Sequence, residues 1–432
     1  MVKFNRRRLL SSLGLLAGVS GLGLNPLTSM TAYAKPSTAS GTTSLNGTIY
    51  IVGENATLLP EAQGLKKQDC CVISTLDIAT GEKKYAIVPV PNGHVAIHSG
   101  NGNILVVGHH GNRNAFVDKD LNILKVIEAP EGYLYSGHGM YDAKRDRTIV
   151  PLRHIEAKSV KDTGLFEVYN STTLELVKTV TSGGLHPHEP KLIPGTDEIA
   201  CTHYGEIYAE NPPFIMNVVE PKLTILDAET LEVKRHYVQQ DYAMLTHMDI
   251  DDKGQAYCVM TQALRINKNH PDGWEAAVSV ADKQMQQLLN FKRDFPLPYR
   301  IADRSRIDIP LPMIQIDTQT GERKDYFTGF ANQMRGQSVA KNSVAGIAAG
   351  VFYHSDTLIT HRSEANQLLA TKAADLGLAD MRGICELEGT PYIALAGSNR
   401  GVIIIDARNF EVIRRYSIDT HENVHLSARM VG

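Results

Sequence analysis

Gly183-Gly184-Leu185-His186-Pro187-His188-Glu189-Pro190 leads into an apolar segment of strand length, and a polar turn joins it to a second such segment ending at His203. Tyr135-Ser136-Gly137-His138-Gly139 does the same ahead of a segment pair closed by Arg153 and His154. Upstream, Asn92-Gly93-His94 is followed by a pair that runs into His109-His110, and downstream Thr246-His247 opens another. A histidine therefore recurs at one position of a repeating unit, which bears on both the fold and the site.

Working outward, the same grammar repeats at roughly 45–60 residues, the spacing of a propeller array. Each unit has an inner strand after a Gly/His loop, a second strand, a third ending near Asp or Asn, and a polar outer strand. The first unit spans 94–99, 104–108, 115–118 and 124–128. The next three are 139–142, 148–153, 165–169 and 174–180; 190–193, 198–203, 222–227 and 232–238; and 247–250, 256–261, 313–317 and 323–327. The fifth is less regular, with an inner strand expected at 344–349, then 357–361 and 367–371. The sixth is 383–386, 392–397, 401–406 and 411–418. Three strands near the N-terminus (48–52, 71–75, 85–90) lack an inner partner, and 425–431 is a lone inner strand. Joined, the two remnants make a seventh blade, and the closed ring has no open edges. The expected fold is an all-β seven-bladed β-propeller over 47–432 closed by the C-terminal strand. An insertion at 263–312 in the fourth unit carries Trp274, Ala277, Val278, Ala281, Met285 and Leu288 at helical spacing, so it is expected to be partly helical.

Residues 1–34 have the parts of an export signal in order: the twin-arginine-type run Asn5-Arg6-Arg7-Arg8-Leu9-Leu10, a short apolar stretch, and the small-residue site Ala32-Tyr33-Ala34. Residues 35–46, rich in Ser, Thr and Gly, read as a disordered lead-in, which makes the periplasm the expected location. The 43% hydrophobic content and net charge of −3 are those of a globular chain and leave no basic footprint for nucleic acid. No apolar run reaches the roughly 18 residues of a membrane span. Five cysteines leave at least one thiol unpaired, and Cys201 and Cys258 fall at equivalent second-strand positions that suit burial better than a bond.

In an antiparallel blade the start of the inner strand and the end of the second strand lie on one face. This places His94, His138, His188, His247 and His425 around one channel mouth. His109 or His110, His154, His203 and His361 fall further out, with Arg113, Arg153, Arg362, Arg382 and Arg400 at comparable positions. Neutral imidazole suits zinc, copper or iron, and Glu189 adds a carboxylate, so the five inner histidines are the expected metal ligands. Glu189, Arg153, His154, His203, His361 and Arg382 are the expected ligand-binding surround, because arginine and histidine together also suit a small anionic ligand. Two alternatives use the same residues. An enzyme (a lactonase, lyase or oxidoreductase) would employ the histidines in acid–base work. A protein-interaction scaffold would hold them as structural pegs within each blade. The chain reads as a binding protein rather than an enzyme, with a periplasmic protein as a further expected partner.

Tyr135–Asp142, the run Thr163-Gly164-Leu165-Phe166-Glu167-Val168-Tyr169, Gly184–Glu189, Val219-Glu220-Pro221-Lys222-Leu223-Thr224-Ile225-Leu226-Asp227 and Leu245-Thr246-His247-Met248 are similar to successive landmarks of a family of exported bacterial propellers. That family carries a domain of unknown function and has quinoprotein-amine-dehydrogenase-like, YVTN-type blades. Val424-His425-Leu426 resembles its terminal Asn-His-Leu with Val424 in place of Asn, and the 263–312 insertion is longer than the family usually has. The resemblance implies a seven-bladed fold, twin-arginine export and, through genes that often neighbour periplasmic iron-uptake components, a role in metal homeostasis.

Overall fold

The computed structural model describes residues 45–53, 64–208, 214–239, 243–262, 265–266, 310–329, 331–397, 401–420 and 423–431. The expected export signal 1–34, the lead-in as far as 44, Arg400 and most of the 263–312 insertion with its helical pattern around Trp274 lie outside the described residues. Leu45, read from the sequence as part of the lead-in, is instead buried in the core.

Among the described residues the strands form seven blades and one small extra sheet. Blade 1 runs from the axis outward as Gly93–His98, Ile104–Gly108, Arg113–Val117 and Ile123–Glu128. Blade 2 has a divided inner strand, Tyr133–Tyr135 and Met140–Asp142, then Arg147–His154, Leu165–Asn170 and Leu176–Thr181. Blade 3 is Pro187–Leu192, Glu198–His203, Lys222–Asp227 and Val233–Val238, and blade 4 is Ala243–Ile250, Gln255–Gln262, Met313–Asp317 and Arg323–Tyr326. Blade 5 is Gly336–Asn342, Ile347–Phe352, Thr357–Arg362 and Gln367–Lys372, and blade 6 is Met381–Leu387, Tyr392–Gly397, Gly401–Asp406 and Val412–Tyr416. The small sheet joins Glu206–Tyr208, Phe214–Val218 and Arg265–Ile266.

The seventh blade is composite. His425–Met430 pairs with Gly47–Gly53, from Val52 opposite His425 to Gly47 opposite Met430, and Cys71–Asp77 and Lys83–Val88 follow outward. Apolar clusters seal it on both sides. Ile49, Ile51 and Leu76 pack with Leu387, Ala394 and Ile404 of blade 6, while Val52 and Ile73 pack with Ala96 and Val106 of blade 1. The core thus lies between blades. Second strands covered on both faces are buried throughout, as in Ile104–Gly108, whereas the rim strand Val233–Val238 alternates between exposed and half-buried positions. Asx turns repeat the hairpin from third to fourth strand: Asp77, Asp227 and Asp317 each accept the backbone N–H of the threonine three residues on, at 2.7, 2.9 and 2.8 Å.

One sequence expectation is corrected here. The inner strand of blade 5 is Gly336–Asn342, and the segment expected to be inner, 344–349, straddles the following turn and the start of the second strand, Ile347–Phe352. That shift by one strand puts His361 near the end of a third strand, on the opposite face from the other histidines.

Candidate metal centre

A β-bulge or a break re-aims the inner strands of blades 1 to 6 at the same height. In blade 1, Gly93 pairs with Gly108 and Val95 with Val107, so His94 is the extra residue. In blade 3, His188 and Glu189 lie in the slip between Pro187 and Pro190, and in blade 4, Thr246 and His247 lie in the slip between Leu245 and Met248. Gln337 and Arg382 hold the corresponding positions of blades 5 and 6. In blade 2, His138 sits in the break between the two inner segments, and in the composite blade His425 opens the strand. The bulge of blade 3 is pinned by the Glu189 N–H donating to Thr202 Oγ1 at 3.2 Å.

These bends bring one ligand nitrogen each of His94, His138, His247 and His425 within 4.8 Å of one another, and all four residues are buried. The His94 ring lies 3.9 Å from that of His425 and 5.0 Å from that of His138, and His188 packs 4.8 Å from His138 and 4.7 Å from His247. Gly137, at φ 100°, makes room: a Cβ there would lie 2.7 Å from His94 Cδ2 and 3.1 Å from His188 Cε1.

The outer partners set the tautomers. Glu189 presents Oε1 to His138 Nδ1 at 3.6 Å and Oε2 to His247 Nδ1 at 3.4 Å. His425 Nδ1 lies 3.2 Å from the Asn423 carbonyl. Carboxylate and carbonyl oxygens only accept, so they place the proton of His247 and of His425 on Nδ1 and leave a lone pair on each Nε2. Those Nε2 atoms point inward: His247 Nε2 lies 3.4 Å from His425 Nε2, and His138 Nε2 and both nitrogens of His94 are buried without a hydrogen-bond partner. Burial first, then the neighbouring imidazoles, holds His94, His138, His188 and His425 well below the usual histidine range. Glu189 stays below the usual carboxylate range although burial pushes it up, because Lys191 and His247 outweigh that burial. Lys191 in turn bonds Asp249 at 2.9 Å and lies 3.5 Å from Glu189. The result is a buried pocket of imidazoles whose nitrogens converge above an ionised carboxylate. That donor set suits a borderline transition-metal cation.

The other residues expected from the sequence fall differently. Arg153 is buried, and its charge acts on His109 and His186 rather than on the four clustered histidines. Arg382 lies near His425, its guanidinium 4.2 Å from the centre of the Tyr353 ring. His154, His203 and His361 do not join the cluster. His154 pairs with Tyr133 because the second strand of blade 2 overshoots the ring, and its imidazole packs on the Tyr133 ring at 5.3 Å. His203 turns into its own blade, toward Ser182 Oγ at 3.2 Å and Thr224 Oγ1 at 3.3 Å, the structural-peg role. His361 stacks on Tyr326 at 4.0 Å. Arg113 donates to the Asp69 carbonyl, and Arg362 lies over Phe410. All five cysteines are free thiols, and Cys201 and Cys258 are buried with their pKa raised first by that burial. Sequence reasoning missed Gln337 as a ring member and Tyr204, whose hydroxyl lies 3.2 Å from His188 Nε2.

Fold and site together define a seven-bladed propeller with a buried histidine cluster on its axis that could hold a metal ion. No protein-family model matches the chain, and no curated protein matches it at a significant level. Among solved structures it is similar to Kuenenia stuttgartiensis hydrazine synthase, with a TM-score of 0.49 and 10% identity over 86% of this chain and 99% of that one. At that level the likeness carries no argument about site or reaction. Among the described residues no helix is long and apolar enough to cross a membrane.

Proposed function

We propose that this protein binds a transition-metal ion, zinc, copper or iron, in the axial pocket through His94, His138, His247 and His425, and that it does so in the periplasm after twin-arginine export, in metal homeostasis. The observation that carries the reading is the pair of Nε2 atoms of His247 and His425, 3.4 Å apart with both Nδ1 protons engaged by acceptors. Two Nε2 lone pairs facing each other at that distance in a buried pocket repel unless a cation, a metal ion or a proton, lies between them. Glu189 orients two of the ligands as a second shell and balances charge. Arg382 beside His425 would hold an anionic co-ligand, so a metal complex with a small carboxylate or phosphate fits as well as a bare ion.

Titration calorimetry of the untagged protein with Zn(II) and Cu(II) tests this. His247→Gln and His425→Gln should each weaken binding at least tenfold, and the double variant should lose little more, because ligands of one ion do not act independently. Additive effects, or melting temperatures that fall with no stoichiometric ion to lose, would assign the histidines a structural role.

A further inference from the structure

Next to the axial pocket lies a second histidine group that the proposed function leaves unused. His109 and His110 follow the second strand of blade 1, and His186 precedes the inner strand of blade 3. One ligand nitrogen of each lies within 4.8 Å of the other two. His110 and His186 both adopt left-handed backbone, at φ 63° and φ 50°, a conformation uncommon outside glycine in which histidine, like asparagine and aspartate, is enriched. His186 is buried, His109 half-buried and His110 exposed.

The buried member is prepared as a ligand. His186 Nδ1 lies 2.8 Å from Glu206 Oε1, itself buried, while His186 Nε2 is buried with no hydrogen-bond partner. The carboxylate holds the Nδ1 proton, so the Nε2 lone pair faces the group. A carboxylate behind an imidazole is the usual second shell of a metal-bound histidine. His109 Nε2 is likewise buried without a hydrogen-bond partner. Burial first, then Arg153 among other neighbours, keeps His109 and His186 well below the usual histidine range, so both offer lone pairs at neutral pH.

We propose that His109, His110 and His186 form a second transition-metal site, oriented by Glu206 and open to solvent on the His110 side. Three imidazoles and an open coordination position are the arrangement of exchangeable or reactive sites, in contrast to a closed four-ligand cage. Metal–nitrogen bonds of about 2.0–2.1 Å ask for ligand atoms about 3.3 Å apart in a tetrahedral set. His110, the exposed member, is therefore the one that closes inward on an ion. The two sites adjoin: His109 lies 4.8 Å from His94 and 5.3 Å from His188 by ring centres, and Tyr204 stacks against both His186 and His188. The outer site rests on its own residues. Its further role, as the position through which an ion exchanges with the buried pocket, rests on the reading of that pocket as a metal site.

Equilibrium dialysis of the full-length untagged protein against Zn(II), with ions per chain measured by elemental analysis, tests the proposal. The wild type should hold two ions, His110→Gln with His186→Gln one, and His247→Gln with His425→Gln one. His110→Gln alone, a change at an exposed side chain, should lower the affinity for one of the two ions at least tenfold with an unchanged melting temperature, which separates ligand loss from misfolding. A wild type holding two ions that stay equally tight in His110→Gln overturns the outer site. So does a single ion kept in the outer variants and lost in the inner ones, which leaves the axial site standing. A single ion lost only in the outer variants supports the outer site and removes the axial reading.

Discussion

Acidifying the metal-free protein should unfold it over a narrow range. Burial, ahead of any neighbouring charge, holds His94, His109, His138, His186, His188 and His425 well below the usual histidine range, and lowers His203 to about 3. The unfolded chain titrates these groups near pH 6.5. Below that pH the unfolded state takes up protons that the folded state refuses, so stability falls as pH falls from 6.5 toward the folded values. Each such histidine removes at most about 2 kcal/mol between pH 7 and pH 5, the limit reached when the folded state takes up no proton there. Glu189, facing His138 and His247, and Glu206, facing His186, can accommodate the first protons, so not every group counts in full. If only three act independently the loss is at most about 6 kcal/mol, comparable with the roughly 5–15 kcal/mol that holds a domain folded. Guanidinium unfolding of the metal-free protein at pH 7, 6 and 5 measures it. Saturating Zn(II) at pH 6 should recover about 2.7 kcal/mol at a hundredfold excess over its dissociation constant. A midpoint unchanged from pH 7 to pH 5 would refute the argument that these imidazoles are buried and neutral.

Three further outcomes follow from the same geometry. Gly137→Ala puts a methyl group against His94 and His188 at a backbone angle that L-residues avoid; it should cost about 1–3 kcal/mol and weaken metal binding, both read by melting with and without Zn(II). Glu189→Gln keeps an acceptor for the Met248 N–H but removes the charge behind two ligands, so calorimetry should show metal affinity falling about 10–100-fold with little change in melting temperature. Deleting 421–432 removes the inner strand of the composite blade together with buried Val424 and Leu426, at about 1.5–3 kcal/mol for each of those side chains, and opens the edge of Gly47–Gly53. Light scattering should find aggregates, and a monomer melting at the wild-type temperature would contradict ring closure.

The ring itself was legible because a histidine before an apolar strand recurs at one spacing, and because the two ends lack complementary strands. The bulges were not. A bulge is a slip against a partner strand, and within one strand it only interrupts the alternation that marks β-structure. The slip at Gln337 leaves the inner strand Gly336–Asn342 without that alternation, so the sequence pattern places the inner strand of blade 5 one strand late and His361 on the wrong face. The same slip concealed Gln337 as the fifth blade's member of the axial ring. Glu206 and Tyr204 were hidden for another reason. They lie just beyond the second strand of blade 3, in a connection that builds its own small sheet instead of another blade strand, so the repeat gave them no register.

The most direct test of the central claim is the metal content of the full-length protein produced with the proposed twin-arginine signal in place and purified without a histidine tag, measured by elemental analysis alongside His138→Gln, His247→Gln and His425→Gln. The account predicts at least one zinc, copper or iron ion per wild-type chain, depleted in each variant while the β-sheet circular dichroism is retained. Wild-type protein with no stoichiometric transition metal, and no binding of any of the three tighter than about 10 μM at pH 7, about 7 kcal/mol, would contradict it.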